Sequence, residues 1–171
     1  METPKLDRLR AFARVMTCSL IYSCFTSAFA DTAAVQIQFS GSANAVFVAE
    51  IASDDESRAK GLMHRTHLPD CSGMWFDFGN PKVVAMWMRD TFIPLDIIFV
   101  GSDFRVLSIF ENADPLSDSL IKSPQATQYV LEINAGEAVQ NNLAVGQQVT
   151  TGPRGHLASL TSRLKCSPTE F

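Results

Sequence analysis

The segment AMWMRDTFIPLDIIFV (85–100) places Arg89, Asp90 and Thr91 side by side and then sets Asp96 inside an apolar run. An ionised carboxylate in apolar surroundings costs several kcal/mol unless a partner meets it. A guanidinium offers a planar fork that fits a carboxylate, whether the protein's own or a ligand's. Arg89, at the end of the preceding apolar run, and Arg65, further upstream, are the two candidate partners for Asp96. Two readings stay open. Asp96 is either one half of an internal ion pair that fastens a turn, or part of a polar pocket lined by Arg65, Trp87, Arg89, Thr91 and Asp96, with Asn112 nearby. Glu111 and Asn112 follow the next apolar run and should return to the same rim if the two runs form a hairpin. Asp96 and Glu111 are then the candidate catalytic pair for acid–base hydrolysis, with Arg89 holding the substrate. Glu132 alternates with Leu131 and Ile133 and reads as a surface or rim residue.

Other chemistries find less support. His64, His67 and Cys71 lie within MHRTHLPDCSGM (63–74) and suggest soft-metal ligands. Cys71, however, has a possible partner in Cys166, and the methionines lie in apolar runs where they serve as core filler. No metal site and no cofactor are expected. There is no G-x-S-x-G elbow, phosphate loop or dinucleotide fingerprint.

These residues need elements to position them. VQIQF (35–39) and AVFVAEIA (45–52) alternate as half-buried strands do. Ser53 and Glu56 form a capping-box pattern that starts a short helix over 54–64. Further strands are predicted at 73–78, 83–88, 95–100, 105–110, 128–133 and 144–150. GNP (79–81) reads as a turn, GSD (101–103) as a hairpin, and 114–124 as an excursion loop. Asn134 and Glu137 mark a second helix start. On the 95–100 strand, Leu95, Ile97 and Phe99 share one face while Asp96, Ile98 and Val100 share the other. Both faces are apolar, so this strand should be central or covered on both sides. The sum is a mainly β single domain: a barrel or sandwich of about seven to eight strands with two short helices.

The 171 residues open with a basic head (Lys5, Arg8, Arg10, Arg14), a short apolar middle and an Ala28-Phe29-Ala30 exit. That is the pattern of a secretory signal peptide over 1–30. A retained anchor and lipidation at Cys24 are the alternatives. The domain then spans 31–152, with a tail over 153–171. Beyond Ala30 there remain 10 Lys+Arg and 16 Asp+Glu, a net charge of −6, so no basic stripe is available for nucleic acid. Export implies a periplasmic or extracellular, oxidising setting in which Cys71 and Cys166 would pair, two separate thiols being the alternative.

Five segments in order resemble domain-of-unknown-function family 192: RAKGLMHR (58–65), GMWFDF (73–78), WMRDTFIPLDIIFV (87–100), ENADPL (111–116), and YVLEINAG (129–136) with VGQQV (145–149). The resemblance runs from about residue 45 to 150. It implies a compact β-rich fold and frequent export, and it implies no settled activity. Asp90 departs from the family pattern, which has Asn there. The expected function is a small binding module of the cell envelope with its pocket at 87–96. A hydrolytic enzyme and a protein-interaction domain docking through Trp87 and Phe92 are the rivals. The expected partner is a small molecule or an envelope protein, with no nucleic acid and no transmembrane span in the mature chain.

Overall fold

The structure is a computed structural model, and it describes residues 33–41 and 46–153, all within the unit Thr32–Phe171. Among the described residues, nine strands and two short helices follow in the order β1 (Ala34–Phe39), β2 (Val46–Ala52), α1 (Asp55–Lys60), β3 (Ser72–Lys82), β4 (Ala85–Met86), β5 (Leu95–Val100), β6 (Val106–Ala113), β7 (Ile121–Lys122), β8 (Thr127–Asn134), α2 (Glu137–Gln140) and β9 (Val149–Pro153). Seven strands form one sheet in the order β6-β5-β8-β3-β2-β1-β9, and β4 pairs with β7 in a second, small sheet. All pairs are antiparallel except β2 with β3, whose connection carries α1.

The mainly β expectation holds. The large sheet curls so that Ile37, Phe47, Trp75, Ile98, Val106, Leu131 and Val149, one from each strand, share a single core cluster. Its edge strands meet at one end, where Arg105 bridges Gln148 and the Val106 N–H donates to the Gln147 carbonyl at 3.0 Å. The contact does not extend along the two strands, so the sheet is not a closed barrel. The opposite face is covered by a second cluster in which Leu62, Val84, Met86 and Met88 pack on Phe76, Ile97, Phe99 and Val130.

Strand β5 is buried along its whole length and sits between β6 and β8. Its alternation divides as predicted: Leu95, Ile97 and Phe99 enter the second cluster, and Ile98 and Val100 enter the first.

Several boundaries differ for identifiable reasons. The first helix is capped by Asp54, with Ser57 at N3, and not by Ser53 with Glu56; the Ser57 N–H donates to Asp54 Oδ1 at 2.9 Å. The box is shifted by one residue, with the acidic side chain at the cap and the hydroxyl at N3. The second helix has Gly136 as N-cap, with no side-chain cap of its own, because Asn134 is turned away to donate to the Leu68 and Pro69 carbonyls. The expected turn at 79–81 is an irregularity inside β3. Gly79 adopts φ +74° and its N–H donates to Asp77 Oδ1, so the register shifts without the chain reversing. The 83–88 strand shrinks to Ala85–Met86, and the 114–124 excursion supplies its partner β7. The last strand begins at Val149, five residues later than predicted, after a turn at Gly146 with φ +89°.

Candidate functional site

Asp96 has no exposed surface. Neither predicted arginine reaches it. Its Oδ1 accepts the Asn112 N–H at 2.9 Å and its Oδ2 accepts the Ala138 N–H at 2.9 Å. Both donors exist for local reasons. Asn112 sits at φ +59° where the β5–β6 register slips between Leu95 and Ile97, and a bulge of this kind leaves a backbone group outside the ladder. Ala138 lies in the first turn of α2, where helix N–H groups lack intrahelical acceptors. Asp96 is thus the cap that Gly136 cannot provide, and it ties the β6 bulge to α2 across β5. This overturns the expectation of a guanidinium partner and of a pocket at Asp96.

The two arginines are employed elsewhere. Arg65 forms a two-pronged pair with Glu50 on β2, at 2.5 and 2.6 Å, which raises its pKa further. Arg89 is exposed, bonded to Asp118 at 2.7 Å and stacked 5.0 Å over Trp87, and its pKa is also raised by the Asp118 bond. Glu111 lies exposed on β6. The hairpin does bring Asn112 to the Asp96 end, as its spacing indicated, but through its backbone. With Asp96 sealed and Arg89 turned to Asp118, the proposed hydrolytic trio shares no accessible space.

Trp87 and Thr91 come together in a different place. They line a cleft of about 260 Å³ over the second core cluster, with walls from α1, β3 and the β4 segment. Phe76, Phe78, Met63 and Met86 supply apolar surface, and Arg58, Lys60 and Lys82 supply positive charge. Arg58 is committed to Asp55, to the Asp77 carbonyl at 2.7 Å and to the Ser53 carbonyl, whereas Lys60 is exposed and Lys82 stands 5.2 Å over the Phe78 ring. At the base lies Glu132, 4% exposed. Among the described residues no hydrogen bond or ion pair offsets its burial, which pushes its carboxyl up to about 8. The cleft is small, just under the ~300 Å³ at the lower end of small-molecule pockets.

Glu132 is the residue that sequence reasoning placed wrongly. It pairs across from Ile97 on β5 and Met74 on β3, so it lies mid-sheet. A signal was present: a strand apolar on both faces needs cover on both faces, and its neighbour's alternate residues are then buried too.

A second concavity, lined by Asp70, Cys71, Asn134, Glu137 and Gln140, lies at α2. Glu137 Oε1 accepts the Cys71 N–H at 2.8 Å, and burial raises the Glu137 pKa. Cys71 is buried, and its predicted partner Cys166 lies outside the described residues, as do the predicted signal peptide and most of the tail. Among the described residues no cluster of three His, Cys, Asp or Glu could hold a metal ion, and no helix is long and apolar enough to cross a membrane.

Comparison with known proteins gives the fold a context. A crystal structure of a proposed transcription regulator from Sinorhizobium meliloti 1021 is similar at 35% identity and TM-score 0.66, over 70% of this chain and 92% of that one. A protein of unknown function from Novosphingobium aromaticivorans DSM 12444 is similar at 42% identity and TM-score 0.65, over 68% of this chain and 83% of that one. No curated protein matches the chain. Residues 35–151 match DUF192, described as Uncharacterized ACR, and the chain belongs to this family.

Proposed function

We propose that the protein is a small-ligand binding module whose site is the cleft between α1, β3 and the β4 segment. One observation carries this reading: a carboxyl group at the base of that cleft is almost wholly buried with no partner among the described residues. A buried polar group without a partner costs stability, and sites that tolerate the cost are enriched in function. Trp87 and Thr91, expected at a pocket, line this one. A ligand-observed NMR fragment screen on the full chain tests the reading. Binders are expected that compete with one another and are lost in Ala59→Trp, which fills the cleft from exposed α1. Binders that persist in that variant, or none at all, would refute it.

The compartment belongs to the same proposal. Cleavage after Ala30 would release an exported chain beginning at Asp31, and Cys71 with Cys166 would then close a loop of about 95 residues, worth roughly 4 to 5 kcal/mol in a chain-entropy estimate. Intact mass and a denatured thiol count decide both. A retained N-terminus, or two reactive thiols, would overturn the respective point. A transcriptional role, by analogy with the Sinorhizobium protein's description, finds little support in a chain of net charge −4.

A protein-docking role has one specific observation in its favour. Val83, Trp87, Phe92, Leu116 and Leu120 are all exposed on the two segments joined by the β4–β7 pairing. Concentration-dependent association that Phe92→Ser abolishes would support it.

A further inference from the structure

The cleft's chemistry narrows what it would hold, given that it is the binding site. We propose that it takes small carboxylic acids with an apolar body, the ligand carboxylate accepting a hydrogen bond from the Glu132 carboxyl at the base. Three observations argue for an anion and against an amine.

The first is the charge around the opening. Lys60 and Lys82 are exposed there, whereas the acidic Asp55 on the same wall is paired with Arg58. A cleft lined by one sign of charge raises the local concentration of the opposite sign. The second is the aromatic wall. An organic cation would look for a ring face, but the Phe78 ring already has Arg58 at 5.6 Å and Lys82 at 5.2 Å. The third is the base itself. Burial favours the neutral form of Glu132, which is a hydrogen-bond donor on the cleft wall, whereas the Thr91 hydroxyl there is committed to the Arg89 carbonyl at 3.3 Å. A donor at the base and cations at the mouth suit an acceptor-bearing anion. Phe76, Met86 and Trp87 then contact its apolar body.

The proton balance is simple. Below about pH 8 Glu132 already carries the proton it donates. Above that, binding must take one proton up from solvent, and affinity should fall about tenfold per pH unit.

The test uses three probes of one shape: 3-phenylpropionate, 3-phenylpropanamide and 3-phenylpropylamine. Each is titrated calorimetrically into the full chain at pH 6.5 and pH 9. The acid is expected to bind best at pH 6.5, to weaken at least fivefold at pH 9 in the native chain, and to lose that pH dependence in Glu132→Gln. Reversing the mouth with Lys60→Glu and Lys82→Glu together, both at exposed positions, should weaken the acid at least fivefold and leave the amide unchanged. An amide that binds as tightly as the acid would overturn the proposal. So would an amine that binds best and tightens at pH 9, where Glu132 would be its counter-ion. Either result leaves the cleft as a binding site. Failure of all three probes also overturns the proposal, and the cleft reading then rests on the fragment screen.

Discussion

Asp96 and Glu132 are two buried acidic residues on neighbouring strands of the same sheet, and they do opposite things. In the β5–β8 register Asp96 faces Ile133 and Ile97 faces Glu132, so the two acids lie on adjacent strands one position apart. The pleat sends them to opposite faces. Asp96 points toward α2 and finds an N–H for each oxygen. Glu132 points toward the α1 side and finds a cleft instead of a donor. Equal burial therefore gives no measure of function. A carboxylate met by two backbone N–H groups is a fastener that holds a bulge and a helix in place, while one desolvated with no partner among the described residues is a cost that the fold carries.

The sharpest test of this contrast is Asp96→Ala. It leaves the buried Ala138 N–H and the part-buried Asn112 N–H without their acceptor, at roughly 1 to 3 kcal/mol each with the larger share at Ala138, so a loss of about 4 kcal/mol is expected in urea unfolding. A loss under about 1 kcal/mol would mean that Asp96 fastens nothing.

Glu132→Gln should move the other way. The folded-state value lies near 8 and the ordinary value is 4.5. The folded chain thus holds a proton that the unfolded chain releases between those pH values. Stability should be highest below pH 4.5 on this account and fall by about 1.4 kcal/mol per pH unit up to about pH 8. Glu132→Gln removes that slope and gains about 3 kcal/mol at pH 7. Parallel unfolding curves for both proteins across this range would show that Glu132 is not held neutral.

Asp96→Asn refines the comparison. Asn keeps one acceptor oxygen and turns an NH₂ toward the other backbone N–H, so about 2 kcal/mol should be lost, between the native chain and Asp96→Ala. The smallest effect belongs to an arginine that sequence reasoning tied to Asp96. Arg65→Ala removes a half-exposed pair with Glu50, screened by solvent, and should cost about 1 kcal/mol without altering the effect of Asp96→Ala. Non-additivity between the two changes would mean that Arg65 and Asp96 are coupled after all.

Much of this was legible in the residues. The strands at 35–39, 45–52 and 95–100 were legible, the first two from alternation and the third from apolar residues on both of its faces, and β5 is indeed buried throughout. The GSD hairpin was legible too, and with it the return of Asn112 to the Asp96 end. Local chemistry placed the start of α1 within one residue, since a cap needs only a short acceptor near the right N–H.

The partners of the charges were not legible, because a guanidinium or carboxylate can pair with any group that the fold brings near. Arg65 met Glu50, Arg89 met Asp118, and Asp96 met two backbone amides that only a bulge and a helix start made available. The site moved for the same reason. The alternation Leu131-Glu132-Ile133 correctly put Glu132 on the face opposite its neighbours, but whether that face meets water or protein is set by strand order. With β8 between β5 and β3, and the 84–88 segment and α1 laid over that side, the tertiary structure buried Glu132 beneath a cleft.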